Sequence, residues 1–279
     1  MTHPFLRPLL ATEHTEYDDG AERVAFALAA RCHLGLRVVM PVTSNPEYEA
    51  IAPLLAAQIE REAAIKLDAI RVQAETAGVE IETCARRGEE PWHEIVGEAR
   101  VSGADLLITR RRGRRGVLAN LLVGEMVTKV AGHAPCSVLM VPKAGQIWSK
   151  RVLAALDGSP VSISVARVAA GVAAACGLPL TLLSVRLTSG DAVDEQWLHR
   201  AQEQALEKIR ADHPQLTVDC RIAIGRSHHE GILTEAARAE ADLLVLGKRG
   251  TTAHEREMLG RTASRVTGLS EGAVLLVQP

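Results

Sequence analysis

With 279 residues and 47% apolar content, the chain is long enough for two domains that each bury a core. Its 3% aromatic content means those cores are built from Leu, Val, Ile and Ala, and a net charge of −2 with no polybasic or polyacidic half gives nucleic acid or a membrane no help from a global field. No apolar run approaches the ~20 residues of a membrane span, MTHPFLRPLL lacks the layout of a secretion signal, and five dispersed cysteines form no C-x-x-C pair, so a cytoplasmic protein with reduced thiols, no membrane and no bound metal is expected.

In chain order, residues 8–12 form a predicted strand that ends at Glu13, and an Ala-rich helix covers about 21–32. Leu36–Val42 is the next predicted strand. Pro46 opens a long amphipathic helix with Ile51, Leu54, Leu55 and Ile59 on one stripe, the signature of a core-facing side. Gly78 stops it, Val79–Cys84 alternates like a more exposed strand, and Pro91 is placed to begin a helix that ends near Gly103. Leu106–Thr109 reads as a buried strand. An arginine-rich loop, a helix near 121–131 and a strand at Ser137–Val141 complete the first half.

Residues 151–279 repeat this plan. A strand in RVLAALDGS leads to a helix over Ser162–Ala175, and Leu180–Val185 is the second strand. Val193, Trp197, Leu198, Ala201, Ala205, Leu206 and Ile209 follow at helical spacing. Thr217–Ile224, a helix at His229–Ala239, Leu243–Leu246 and Ala273–Val277 finish the set. Ala104-Asp105-Leu106-Leu107 recurs as Ala241-Asp242-Leu243-Leu244, and Gly88 recurs as Gly225 at the same offset. Strand and helix alternate, so the strands are parallel with right-handed crossovers. The expected architecture is two tandem α/β domains, 1–145 and 146–279, joined near Lys143–Lys150.

The richest stretch is ADLLVLGKRGTTAHEREMLGRT, residues 241–262. A strand buried on both faces runs into Gly247-Lys248-Arg249-Gly250, and a third glycine, Gly260, precedes a helix. Glycines suit a loop that takes φ > 0 and approaches a ligand closely, and a helix N-terminus favours an anion. The alternative is a plain strand-to-helix connection, but fourteen residues is long for one. The G-x-x-G-x9-G spacing, in a chain of this repeat, resembles the nucleotide loop of the universal stress protein superfamily. That resemblance implies flavodoxin-like (Rossmann-like) domains, each a five-stranded parallel sheet of order 3-2-1-4-5. It also implies ATP, with magnesium, as cofactor, a stress-response role, pairing of the two domains within one chain, and a homodimer.

On the same resemblance, Asp157 would touch the adenine or the metal-phosphate end of the ligand, with Gly158 beside it and Val185 near the base. Gly247, Gly250, Gly260 and Thr262 would hold phosphate, with Lys248 or Arg249 as point charges. The family's Ser or Thr after the third glycine is Arg261 here. It is read either as a charged donor in place of the hydroxyl or as a side chain that fills the pocket. Against function, Asp157-Gly158-Ser159 also reads as a strand-end turn with a helix cap, and Val185 as a core valine.

The first repeat departs further. Arg110 stands where the first glycine belongs, Gly113 at the second, Gly124 at the third, Glu125 at the Ser/Thr position, and Glu13 replaces Asp157. An arginine crowds a close backbone approach and Glu125 repels phosphate, so ATP is expected at the second domain only. Arg110, Arg111, Arg112, Arg114 and Arg115 are either an anionic-partner site or a solvated run paired with carboxylates. Nucleic acid is disfavoured, because no aromatics interleave with them. His228-His229 point to different sides of a helix and make a poor metal site. No nucleophile triad, P-loop or carboxylate pair is present. A binding or regulatory protein is therefore expected, with a slow ATPase and a nucleotide-free interaction module as its rivals.

Overall fold

The computed structural model describes residues 3–111, 125–188, 195–250 and 259–278. These fall into two compact units, one formed by residues 5–111 with 125–147, the other by 148–278 with residues 3–4. The first unit carries β1 (Pro8–Ala11), α1 (Asp19–Cys32), β2 (Leu36–Thr43), α2 (Pro46–Ile51), α3 (Pro53–Thr76), β3 (Ile81–Gly88), α4 (Pro91–Val101), β4 (Leu106–Arg110), α5 (Glu125–His133) and β5 (Ser137–Val141). The second carries β6 (Val152–Ala155), α6 (Pro160–Cys176), β7 (Leu180–Leu187), α7 (Glu195–Asp212), β8 (Val218–Gly225), α8 (His228–Arg238), β9 (Leu243–Gly247), α9 (Arg261–Leu269) and β10 (Ala273–Val277).

All pairings within each unit are parallel. β1 lies between β2 and β4, with Leu9 opposite both Arg37 and Leu107, while β3 adds to β2 and β5 to β4. The second unit repeats this order, with β6 between β7 and β9, β8 outside β7 and β10 outside β9. The central strands PLLA, LLIT, VLA and LLVL are buried on both faces because helices cover both. β3 alternates between half-buried and exposed positions, as expected of an outer strand. Pro53, Pro91 and Pro160 start α3, α4 and α6, where a missing N–H is harmless. Inside the first unit the buried Glu98 carboxylate of α4 accepts from Arg37 of β2 and Arg86 of β3, tying that helix to two strands.

The long helix expected from Pro46 is broken. Pro53 cannot donate a backbone hydrogen bond and disfavours helix at the residue before it, and Ala52 sits at φ −131°, ψ 64°. Its apolar stripe also faces outward: Ile51 is 81% and Leu54 85% exposed, while Ala63, Leu67, Ile70 and Ala74 are the buried set. Length explains this. Twenty-four helical residues extend about 36 Å, whereas eight-residue strands reach about 26 Å, so the first turns of α3 overhang the sheet.

Of the residues in the sequence pattern of α7, Val193 lies outside the described residues, Ala201 and Leu206 are half-buried, and Trp197 departs from the stripe. Leu198, Gln202, Ala205 and Ile209 are buried at steps of four, three and four, but Trp197 is 38% exposed and lies off that stripe. Gln202 is accommodated because its amide donates to Leu182 O, Ser184 Oγ and Arg221 O.

Candidate functional site

In the second unit, β6 delivers Asp157 to the carboxyl edge of the sheet, beside the end of β9. The carboxylate is held in place: Oδ1 accepts from the Ser159 N–H at 3.0 Å and from the Ser162 hydroxyl at 2.9 Å. Ser162 Oγ in turn accepts from the Asp157 N–H at 3.2 Å. The other oxygen faces the glycine loop, with Oδ2 lying 2.6 Å from the point where a Cβ on Gly250 would be. Gly158 follows in the left-handed region at φ +75°, with the Trp197 indole where a side chain would be: a Cβ there would lie 2.1 Å from Trp197 Cη2.

β9 ends at Gly247. The Lys248 N–H donates to Val277 O, and Lys248 O accepts from the Gly260 N–H at 2.9 Å, so Gly260 brings the chain back onto the segment it left. A Cβ on Gly260 would lie 3.3 Å from Lys248 O and 3.5 Å from Arg249 Cα, and one on Gly247 would lie 3.0 Å from Arg249 O. None of these three glycines adopts positive φ, contrary to the expectation from their spacing. They are required by close approach of backbone and carboxylate, and the left-handed position belongs to Gly158.

α9 starts at Arg261 with Gly260 as its N-cap and no capping side chain. The first-turn N–H groups of Arg261, Thr262 and Ala263 have no acceptor among the described residues, while Ser264 N–H closes on Gly260 O. An uncapped helix start beside glycines presents donors and a positive dipole end to an anion. Arg249 and Arg261 are exposed, Thr262 is half-buried and Lys248 is buried. Asp157, Gly158, Gly247, Lys248, Arg249, Gly250, Gly260, Arg261 and Thr262 thus converge. Val185 stands one strand over, packed against Gly231 of α8, its Cγ1 2.6 Å from where a Cβ there would be. Gly231 also lines a cavity of about 260 Å³ between the ends of β7, β8 and α8, with Thr188, Gly225, Arg226 and Thr234, beside the convergence rather than in it.

The pair His228-His229 opens α8. Ser227 caps the helix by accepting from the Glu230 N–H, and its hydroxyl lies 2.9 Å from His229 Nδ1. Burial, then the charge of Arg265, pushes the His229 pKa below its ordinary value. Among the described residues no group of three or more His, Cys, Asp or Glu is arranged to hold a metal ion.

The first unit fills the same place with charge. The Arg110 guanidinium donates to Asp18 Oδ2 at 3.0 Å, Thr15 Oγ1 at 3.1 Å and Glu13 Oε2 at 3.1 Å. Asp18 is almost fully buried and also accepts from the Thr15 N–H and hydroxyl. The cavity left among Glu13, Asp18, Thr109, Arg110 and Met126 is only about 10 Å³. Arg111 is buried, and burial lowers its pKa to about 10. Of the five clustered arginines, then, Arg110 is paired and Arg111 is inside. Arg112, Arg114 and Arg115 lie outside the described residues, as do Gly113 and Gly124, and Glu125 is the first helical residue of α5.

Four participants in three contacts escaped sequence reasoning. Ser162 orients Asp157, Asp18 with Thr15 anchors Arg110, and Trp197 covers Gly158. The first two contacts had a signal, since D-G-S-x-x-S and T-x-x-D are local hydrogen-bonding patterns as well as turn formers.

A model of the universal stress protein family matches residues 5–142 and again 149–278. The chain is 26% identical to a universal stress protein of Mycolicibacterium smegmatis over 218 residues, 74% of this chain and 71% of that one. It is 33% identical over 136 residues to the universal stress protein in QAH/OAS sulfhydrylase 3′ region of Thermus aquaticus, 46% of this chain and 98% of that one. Among solved structures, a universal stress protein from Archaeoglobus fulgidus matches with a TM-score of 0.77 at 18% identity, covering 97% of this chain and 96% of its own, a likeness of fold alone.

Proposed function

Because the chain belongs to the universal stress protein family, matched over both of its repeats, we propose that it is a cytoplasmic stress-response regulator that binds ATP, with magnesium, through its second repeat only. The observation that supports this is the contrast between the two strand ends. In the second repeat, glycines at close approach bring Asp157 against Gly250 and the uncapped start of α9, at Gly260, back onto the same loop segment. In the first, Arg110 closes the corresponding place on Asp18 and Glu13.

The residues present suit the ligand. Backbone N–H groups at Arg261 and Thr262, with the Arg249 and Arg261 guanidinium groups, would take the phosphates. Asp157 is the acidic group there for a magnesium ion or for the ligand's own donors. Arg261 is exposed and has no ion-pair partner among the described residues, which favours a charged donor over a side chain folded into the pocket. No helix among the described residues is long and apolar enough to cross a membrane. Domain boundaries near residue 145 fit this division of labour, with the first repeat serving structure or partner contact.

Calorimetric titration of ATP and magnesium into wild type, Gly250→Val and Arg261→Ser tests the reading. Wild type is expected to bind at one site per chain, Gly250→Val to lose binding, and Arg261→Ser to bind several-fold more weakly. Equal binding by wild type and Gly250→Val would remove the site. Binding by Arg261→Ser alone would make the native chain a nucleotide-free module. Sustained turnover abolished by Gly250→Val would make it an ATPase.

A further inference from the structure

Trp197 is the one large aromatic of the second unit that the core does not explain. The buried stripe of α7 runs through Leu198, Gln202, Ala205 and Ile209, and Trp197 stands about 100° around the helix from Leu198. Trp148, by contrast, is buried, with its indole N–H donating to Cys176 Sγ. In a chain with only 3% aromatic residues, a half-exposed tryptophan away from the core calls for a local reason. The ring lies against Gly158, and a Cβ at that glycine would come within 2.6 Å of Trp197 Cη2, Cζ3 and Cζ2. Gly158 is in turn fixed at φ +75° next to Asp157, whose Oδ2 abuts Gly250. The surface that starts at α9 and passes over Gly250 and Asp157 therefore ends at the indole.

Resting on the nucleotide reading above, we propose that Trp197 is the base-recognition residue of the second repeat. Its indole is the wall on which the ligand's aromatic base stacks once the phosphates are held at α9, so the site selects nucleotides over simple polyphosphates. An indole offers a flat, rigid apolar face, and base stacking on an aromatic side chain is worth roughly 5- to 150-fold in affinity. Phosphate donors alone would not distinguish ATP from inorganic tripolyphosphate, whereas an aromatic wall does.

The test titrates ATP and inorganic tripolyphosphate, each with magnesium, into the full chain as wild type, Trp197→Phe and Trp197→Ala. Expected is about a ten-fold loss of ATP affinity in Trp197→Ala, most of it restored in Trp197→Phe, with tripolyphosphate binding equally to all three. The unchanged tripolyphosphate affinity also shows that the variants are folded. ATP binding by Trp197→Ala that matches or exceeds wild type overturns the proposal alone and makes the indole a bystander or a plug. An equal loss for both ligands overturns it too, since the effect would not be on the base. Failure of wild type to bind ATP overturns the nucleotide reading and this proposal together.

Discussion

Asp157 Oδ2 lies 2.6 Å from where a side-chain carbon on Gly250 would be, while the other oxygen of the same carboxylate is held by Ser159 and Ser162. The two residues therefore compete for one space. Gly250→Ala must either lift Asp157 off its two donors or displace the loop. We expect Gly250→Ala to weaken ATP by about ten-fold, and Asp157→Gly to remove most of that penalty when combined with it. A double-mutant cycle by calorimetry measures the coupling, which for residues in direct contact is expected to be clearly non-additive. Additive losses would show that the two do not share the space.

Gly158 carries two constraints that can be separated. Its left-handed backbone disfavours any other residue by about 1–2 kcal/mol, and the indole of Trp197 opposes a Cβ sterically. Gly158→Ala is expected to lower unfolding stability by about 2 kcal/mol or more. Combined with Trp197→Ala, the steric part disappears and the backbone part stays. Denaturant unfolding of the four proteins reads out both contributions.

Arg110 neutralises Asp18, which is 1% exposed. Arg110→Ala leaves that carboxylate with its Thr15 hydrogen bonds but without a counter-charge. A loss of about 2–3 kcal/mol is expected, at or just below the range for a broken buried pair because the guanidinium is partly solvated. Arg110→Ala combined with Asp18→Asn should recover much of it. Thermal unfolding at low and high salt checks this, and most of the deficit should persist at high salt because the Asp18 carboxylate itself is buried.

His229 gives stability a pH dependence of known sign. Burial, followed by Arg265, holds its folded pKa below the ordinary 6.5, so the unfolded chain takes up the proton first as the solution is acidified. Stability contributed above about pH 6.5 is therefore lost as pH falls through and below that value. Urea midpoints compared at neutral and mildly acidic pH should fall less in His229→Gln than in wild type. An identical fall would show that other groups carry the dependence.

The strands were legible because their chemistry is one-dimensional. Leu106-Leu107 and Leu243-Leu244 each follow Ala-Asp and stay apolar because both faces are covered, and no tertiary knowledge is needed to see it. The overhang of α3 was not legible, since periodicity gives the face of a helix but not the reach of the sheet beneath it. The loop glycines are located by their spacing, which suggests both positive φ and close approach, and only the close approach is found. Dihedral freedom and close approach leave the same letter in a sequence, and only the neighbour's position separates Gly158 from Gly250. Arg110 was read as an intruder at a glycine position, but its partners Asp18 and Thr15 sit in a polar loop where each residue also looks like a turn former.

The charge that closes the first repeat on Arg110 is part of the chain itself, so no dilution or depletion can remove it. An intramolecular counter-ion acts at an effective concentration fixed by geometry, whereas a bound solute stabilises only in proportion to the logarithm of its free concentration. With ligand bound as proposed, one half of the molecule follows the chemical potential of a metabolite. The other is indifferent to it, an internal standard built on the same fold.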